Sequence, residues 1–401
     1  MSDSLGDWGG AEFVLAADRL DTPDVVEAAD PGDMLRQIAS AAAAVRTALR
    51  SCQETDLSAF TPDARPRAII VAGLGGSGLA GEMLGGITGP GSPLQVVTAQ
   101  AERLPGWVGA ADAVIAVSGS GTTAETLTVA AEAARRGCRL VGVGPEDSAL
   151  HRTVEQARAP FIPVAAAGLP RSRLWGLAIP LLVIAERLGV ARLGADVYEQ
   201  AASRLEEVSH QCRPASESFV NPGKSLALDL VGTLPVVWGT SALSGVAARR
   251  FAAQLGDNAK YPAIVGVLPE AAHNQIAAFD GPFTPAARPV PGPADAEDLV
   301  DLSSWDLDYG DTRPGFIPLR LVLIVDPGQD QRVAAQQRAV TELAGQRGIG
   351  LSELAMDGEH PLVRLAGVVQ LADYASVYLA IASGIDPSQA AAVSDLQARI
   401  E

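Results

Sequence analysis

The sequence predicts an α/β protein with two units, each a doubly wound parallel sheet flanked by helices. The chain has 401 residues, which is enough for two separate hydrophobic cores. Its residues are 48% hydrophobic but only 4% aromatic, which is typical of a globular α/β protein rather than a disordered one. Short apolar runs alternate with helical segments, as expected for strands that are covered by helices on both faces.

The first half of the chain alternates strand, turn and helix after an Ala-rich helix. In order, the segments are a helix at 30–51, a strand, turn and helix at 67–84, strands at 93–99 and 111–121, a helix at 122–137, a strand at 138–144 and a fifth strand at 159–166. The carboxyl ends of parallel strands share one edge of a sheet, where ligands bind. Residues that follow these strands are therefore candidates for a site.

The second half repeats this order of elements without a repeat in sequence. It contains strands at 234–240, 261–268 and 319–326, helices at 241–256 and 329–348, and a long apolar helix at 361–384. We predict an N-terminal extension (1–30), a first domain (31–205), a joint (206–225) and a second domain (226–401). Residues 281–318, rich in Pro, Gly and Asp, are predicted to be a surface insertion in the second domain.

Charge and composition argue against several classes of protein. The net charge of −17 disfavours a nucleic-acid-binding or anionic-membrane surface. Four histidines and three separated cysteines predict neither a metal site nor a disulfide framework, so a reducing cytoplasm is expected. The N-terminus lacks the pattern of a signal peptide, and the apolar run at 174–185, 12 residues long, is too short to span a bilayer.

Two turns rich in glycine and hydroxyl residues follow predicted strands. The first, Gly73-x-Gly75-x-x-Gly78, formally matches a dinucleotide-binding turn, but no acidic residue ends the next strand, so a ligand-free turn is an equal alternative. The second carries the small hydroxyls of Ser118, Ser120 and Thr123. If the two turns meet, backbone N–H groups at two helix N-termini and these hydroxyls suit a phosphate monoester.

The alternative for the second turn is helix capping alone. Thr122 or Thr123, with Glu125 or Thr126 in the first helical turn, is a pattern that starts helices without any ligand. Capping and phosphate binding do not exclude each other.

Several segments resemble those of a known family. The stretch VSGSGTTAET (117–126) resembles the Ser-x-Ser-Gly-x-Thr-x-Glu-Thr signature of sugar isomerase (SIS) domains. Further segments are similar to those of the bifunctional phosphoglucose/phosphomannose isomerases within that family, namely GLGGSGLAGEML (73–84), LPRSRLWGLAIPL (169–181), LGDNAKYPAIVGVLPEAAHNQI (255–276) and LADYASVYLAIASGIDPS (371–388). The resemblance runs from about residue 65 to the end, except for the insertion, and its motifs keep their order.

The resemblance implies two SIS domains and an enzyme that interconverts aldose and ketose hexose 6-phosphates without a metal or redox cofactor. It assigns phosphate or substrate binding to Gly75, Gly76, Ser77, Ser118, Ser120 and Thr123, a cation to Arg171, the base to position 257, ring opening to His273 and a helper lysine to position 397. It also implies a homodimer in which His273 reaches the site of the neighbouring subunit.

Two positions depart from the family pattern. Asp257 stands where the family has Glu, and its carboxylate reaches roughly 1.5 Å less far; a misplacement of about 1 Å can cost about 100-fold in rate. Gln397 stands where the family has Lys, and an amide can hydrogen-bond a hydroxyl but cannot offset negative charge. Both departures favour weakened or altered catalysis with an intact phosphate pocket.

Without the motifs, the individual residues have ordinary alternatives. Arg171 would be a loop arginine in a surface ion pair. A lone His273 would be structural, although it follows a strand end, and histidine is a common general acid or base. For Glu270 the alternatives are to orient the ring of His273 or to form a surface ion pair. For Lys260, near Asp257, they are to supply a positive charge to the site or to form a structural ion pair.

Three functions remain in competition. The first is an isomerase acting on glucose 6-phosphate or mannose 6-phosphate, and the second is a phosphosugar-binding sensor or partner without turnover. A nicotinamide-dependent dehydrogenase rests on the first glycine turn alone. A glutamine-dependent aminosugar synthase is disfavoured because Ser2, not a cysteine nucleophile, follows Met1.

Overall fold

The computed structural model describes residues 8–285 and 317–400. Most of the predicted insertion, 286–316, lies outside the described residues. The remainder forms two parallel sheets with helices on their faces, so the α/β prediction is confirmed.

The first sheet has five parallel strands in the order β2-β1-β3-β4-β5. Its strands are β1 (Ala68–Ala72), β2 (Gln95–Ala99), β3 (Ala113–Val117), β4 (Arg139–Gly144) and β5 (Phe161–Pro163). The strand order reverses between β1 and β3, which is where ligands bind in such sheets. Along β1, Ile69 and Val71 face one hydrophobic core while Ile70 faces another, which explains why the strand is apolar at every position.

Nine helices precede, flank or follow the first sheet in the described chain. They are α1 (Trp8–Asp21), α2 (Pro23–Ala29), α3 (Met34–Ala39), α4 (Ala41–Glu54), α5 (Gly76–Thr88), α6 (Ala124–Arg135), α7 (Ala149–Gln156), α8 (Leu174–Arg187) and α9 (Gly194–Gln211). Helices α5 and α8 cover one face of the sheet and α6 and α7 the other.

The second sheet has four described parallel strands in the order β7-β6-β8-β9, the same arrangement as the first four strands of the first sheet. Its strands are β6 (Leu234–Gly239), β7 (Ile264–Val267), β8 (Leu319–Val325) and β9 (Gly350–Ala355). Strand β9 was not predicted, because it lies at the edge of the sheet and Glu353 interrupts its short apolar pattern.

The helices of the second half are α10 (Pro222–Leu230), α11 (Ala242–Gln254), α12 (Ala271–Asn274), α13 (Gln331–Gln346), α14 (Pro361–Ala382) and α15 (Ala391–Ile400). Within the predicted joint, only residues 212–221 lie outside helices, because α9 continues to Gln211.

Helix α14 is the central helix of the molecule. It packs against α9, α10 and α11, and its residues belong to a core cluster shared by both halves of the chain. By length and composition it is the one described helix apolar enough to cross a membrane, but 94% of its most apolar window is buried inside the protein. Burial against other helices therefore accounts for its composition.

Candidate functional site

The two glycine–hydroxyl turns meet at the carboxyl edge of the first sheet. Ser77, in the first turn of α5, accepts a hydrogen bond at its Oγ from the backbone N–H of Gly119 at 3.1 Å. Gly119 lies in the turn between β3 and α6. Because β1 and β3 are paired neighbours, their following turns lie side by side as the sequence predicted.

Three hydroxyls form a cluster within the second turn. The Oγ of Ser118 lies 3.0 Å from Oγ1 of Thr123, and the Oγ of Ser120 lies 3.4 Å from each of them. Ser118 is buried and Ser120 is exposed, so the cluster runs from the interior to the surface. Such a graded set of rotatable hydroxyls can donate to the oxygens of one bound anion.

The hydroxyl of Thr123 does not cap α6. Thr123 occupies the N-cap position, but its side chain makes no capping hydrogen bond and faces Ser118 and Ser120 instead. Gly75 occupies the N-cap position of α5 and has no side chain to cap the helix. The interpretation of the second turn as side-chain capping by Thr123 is therefore wrong, and both helix N-termini retain donors for an anion.

Two glycines are required by the backbone of these turns. Gly75 has φ of +54° and Gly121 has φ of +71°, in the region that disfavours L side chains. A Cβ on Gly121 would also lie 2.3 Å from Cβ of Ser148, the N-cap residue of α7. Gly76 is the first residue of α5, and a Cβ placed on it would meet no atom within 4 Å. The first turn therefore leaves room for a ligand to approach its backbone.

Arg171 lies in a short 3-10 turn, Pro170–Ser172, that precedes α8. Its Nε donates to Oδ1 of Asn258 at 2.7 Å, and its Nη2 donates to the backbone carbonyls of Pro387 and Ser388. Arg171 is therefore not the surface ion-pair arginine of the ordinary interpretation. Burial lowers the pKa of Arg171, while the carboxylates of Asp257 and Asp386 raise it.

A buried polar network holds the turn that carries Arg171. Arg250 donates from Nη2 to the backbone carbonyl of Arg171 at 2.8 Å and is itself bound by both oxygens of Asp373. Asn258 donates to Oγ of Ser376 on α14 at 2.9 Å, which fixes the amide that receives Arg171. These contacts restrict the guanidinium to one position.

Helix α3 contributes to the same turn. The Oε1 of Gln37 accepts from the backbone N–H of Leu169 at 2.6 Å and from Oγ of Ser172 at 3.0 Å. Sequence reasoning missed Gln37, Arg250 and Asp373, because polar residues on helices far along the chain carry no local signal. Asn258 was identifiable only as the neighbour of Asp257.

Asp257 lies in a π-helical turn, Leu255–Ala259, that extends α11. Its side chain is exposed, and its charge acts on Arg171. Lys260 does not pair with a carboxylate of the described residues; its Nζ donates to the backbone carbonyls of Asp257, Asn258 and Gln389. The turn thus brings a carboxylate and the Arg171 cation into one place, with π-turns being frequent at functional sites.

His273 is not hydrogen-bonded to this pair. It is exposed on α12, which follows β7 at the edge of the second sheet, and among the described residues no hydrogen bond or ion pair joins it to Arg171 or Asp257. Glu270 accepts from Nδ2 of Asn274 at 2.9 Å rather than from His273. Gln397 belongs to α15, but its side chain lies outside the described residues.

Comparison with known proteins is consistent with these features. The family model of the bacterial phospho-glucose isomerase C-terminal SIS domain matches residues 219–400. The chain is 25% identical over 320 residues to a bifunctional phosphoglucose/phosphomannose isomerase of Caldicellulosiruptor bescii, covering 80% of this chain and 85% of the relative. It is 27% identical over 324 residues to the protein of the same name from Aquifex aeolicus, covering 80% and 86%.

The fold has solved counterparts. A hypothetical protein from Thermus thermophilus superimposes with a TM-score of 0.64 at 15% identity, covering 97% of this chain and 94% of that one. At this identity the likeness concerns the fold alone. It extends over both sheets, including the N-terminal half that the family model does not match.

Proposed function

We propose that this chain, which is similar to the bifunctional phosphoglucose/phosphomannose isomerases and matches a SIS-domain family model over residues 219–400, is a phosphosugar isomerase of the SIS-domain family. The proposed reaction interconverts the 6-phosphates of glucose or mannose with fructose 6-phosphate. The observation that carries the proposal is the meeting of the two turns, which gathers Ser77, Ser118, Ser120 and Thr123 between two uncapped helix N-termini. This cradle binds the phosphate and thereby fixes the sugar.

The proposed chemistry is a proton transfer through an enediolate. In the open-chain aldose, Asp257 removes the proton from C2, and the electron pair moves toward the C1 carbonyl to give the enediol or enediolate. The same proton returns to C1, the hydroxyl proton on O2 passes to O1, and the C2 oxygen becomes the ketose carbonyl, so no net oxidation occurs. Arg171 supplies the positive charge that stabilises the oxygen on which charge develops.

We propose that the ring-opening residue is His273 of a second subunit in a homodimer. Within one chain, His273 is exposed, and among the described residues no hydrogen bond or ion pair joins it to Arg171 or Asp257. A cytoplasmic location is part of the same proposal. The three cysteines, Cys52, Cys138 and Cys212, are free and buried, and burial raises the pKa of the Cys52 and Cys212 thiols to about 12.

Purified protein is expected to convert glucose 6-phosphate and mannose 6-phosphate to fructose 6-phosphate and to be stabilised thermally by these ligands. A coupled assay and a thermal-shift titration on the same sample measure both properties. The Ser118→Ala variant is expected to lose most of the ligand-induced shift, because a buried hydroxyl of the cradle is removed.

The competing functions give different results in the same experiment. Ligand stabilisation without turnover would identify a phosphosugar sensor and contradict the isomerase. Stabilisation by NAD or NADP instead of sugar phosphates would favour a dehydrogenase and contradict the isomerase.

If each site takes residues from both subunits, two chains with different inactivating substitutions are expected to restore activity when they form mixed dimers. An Asp257→Ala chain mixed with a His273→Ala chain, after dissociation and reassociation, is expected to recover about a quarter of wild-type sites in random dimers, since one mixed site in half of the dimers is complete. A mixture of Arg171→Ala and Asp257→Ala chains is the control, because both residues come from one chain and no complete site forms. Activity in the control, or none in the first mixture, would contradict the shared site.

A further inference from the structure

A second arginine lies against the phosphate cradle. Arg173 occupies the N-cap position of α8, two residues after Arg171, and donates from Nη1 to the backbone carbonyl of Gly119 at 2.7 Å. It also donates from Nε to the carbonyl of Ala167 at 3.1 Å and from Nη2 to the carbonyls of Ala166 and Gly168. A single guanidinium thus joins the turn after β5 to the second turn of the cradle.

The charge of Arg173 has no acidic partner among the described residues. All its hydrogen-bond acceptors there are backbone carbonyls, and no carboxylate of residues 8–285 or 317–400 forms an ion pair with it. Burial lowers the pKa of Arg173 with no opposing carboxylate, but a guanidinium stays protonated in proteins. Arg171, by contrast, is influenced by Asp257 and Asp386.

An uncompensated, half-buried cation is notable in a chain with a net charge of −17. The cradle hydroxyls are neutral, and a helix N-terminus contributes only about half a charge. A dianionic phosphate that enters this site from solution is repelled by the protein as a whole, so a local positive charge has a large effect on its binding.

Arg173 also fixes the shape of the cradle. The carbonyl of Gly119 receives Arg173 while the N–H of Gly119 donates to Ser77. Both peptide groups around Gly119 are therefore held, and these are the groups that link Ser118 to Ser120. The orientation of the Ser118 and Ser120 hydroxyls therefore depends on these two hydrogen bonds of Gly119.

We propose that Arg173 is a positioning and specificity residue that selects dianionic phosphate esters by holding Gly119 and by supplying the positive charge that the cradle hydroxyls lack. The inference rests on the proposed function and adds a residue to its substrate recognition. A merely structural Arg173, one that only fastens residues 166–168, would affect stability without affecting the preference between charge states of the ligand.

The test compares Arg173→Gln and Arg173→Lys with wild type by calorimetric titration of inorganic phosphate and of glucose 6-phosphate. The second ionisation of a phosphate monoester has a pKa near 6, so glucose 6-phosphate is a dianion at about pH 8, and glucose 6-sulfate, whose sulfate ester carries a single negative charge, supplies the matching monoanion at the same pH. Arg173→Gln is expected to lower affinity for the dianion by about 10- to 100-fold and for the monoanion much less. Arg173→Lys is expected to lie between wild type and Arg173→Gln.

Arg139→Gln is a matched control. Arg139 also donates to a backbone carbonyl, that of Ala64, but it starts β4 at the opposite end of the first sheet. Its variant is expected to bind phosphate as wild type does. In the isomerase assay, Arg173→Gln is expected to raise KM by a similar 10- to 100-fold with kcat changed little, as for lost uniform binding.

The outcomes separate the two proposals. No binding of phosphate or glucose 6-phosphate by wild type would overturn the proposed function itself. Binding by wild type with equal affinity in Arg173→Gln, or an equal loss for monoanion and dianion, would leave the isomerase intact and overturn the role of Arg173.

Discussion

Replacing Asp257 with Asn is expected to lower kcat for aldose–ketose isomerisation by about 10²- to 10⁴-fold. The amide has nearly the same shape but cannot accept the proton from C2. Sugar phosphate binding is expected to persist, because the cradle lies on the first sheet while Asp257 extends α11 of the second half. The measurement is the coupled isomerase assay beside a thermal-shift titration with glucose 6-phosphate.

Asp386→Asn separates loss of the base from loss of a nearby negative charge. The carboxylates of Asp386 and Asp257 both raise the pKa of Arg171, so both neutralising variants remove a similar electrostatic influence on it. Only Asp257 is proposed to move the proton. If both variants lose kcat to the same extent, Asp257 is not the base.

The Asp257→Glu variant tests whether the short side chain of the aspartate limits the rate of the enzyme. The longer side chain restores the residue of the family pattern, and a correction of about 1 Å can be worth up to about 100-fold. An increase in kcat with little change in KM is the expected result. A decrease would show that the π-helical turn is already adapted to the shorter carboxylate.

Replacing Asp373 with Asn is expected to destabilise the protein by about 3–5 kcal/mol. The Arg250 and Asp373 side chains are only 3% and 6% exposed, and they share two hydrogen bonds of 2.8 and 2.7 Å. Removing the negative charge leaves a buried guanidinium without its counterion. Urea unfolding monitored by circular dichroism measures the loss.

Two further variants test whether the unpaired, buried guanidinium of Arg250 causes this loss of stability. Glu199→Gln weakens an exposed contact with Arg46, where the side chains are 58% and 37% exposed, and is expected to have little effect on the free energy of unfolding. The double variant Arg250→Met/Asp373→Leu removes both buried charges and is expected to recover much of the stability lost in Asp373→Asn. A small loss in Asp373→Asn, similar to that in Glu199→Gln, would contradict the proposed cost of the unpaired cation.

The double variant also separates stability from catalysis. Because Arg250 donates to the carbonyl of Arg171, its loss releases the turn that carries the proposed catalytic cation. We therefore expect this variant to remain slow even where its stability is restored.

Strands and turns of the first sheet followed from local patterns in the sequence. Apolar runs such as that of β3 are continuous because both faces are buried, and the small residues after β1 and β3 mark turns. Strand β9 was not predicted from the sequence, because an edge strand with exposed positions has no continuous apolar run. The spacing of apolar residues along a strand or helix indicates which of its faces are buried, but not which other elements it contacts.

The sequence by itself therefore determined the α/β class, the two glycine–hydroxyl turns and, through resemblance, the candidates Arg171, Asp257 and His273. Only the tertiary structure showed that Gly119 donates to Ser77 and accepts from Arg173. It also showed that Thr123 faces the Ser118 and Ser120 hydroxyls instead of capping α6. It alone showed how Gln37 and Arg250 hold the Arg171 turn from distant helices. The physical reason is that a hydrogen bond is directional and depends on which elements pack together, whereas a sequence pattern records only the burial and backbone preferences of neighbouring residues.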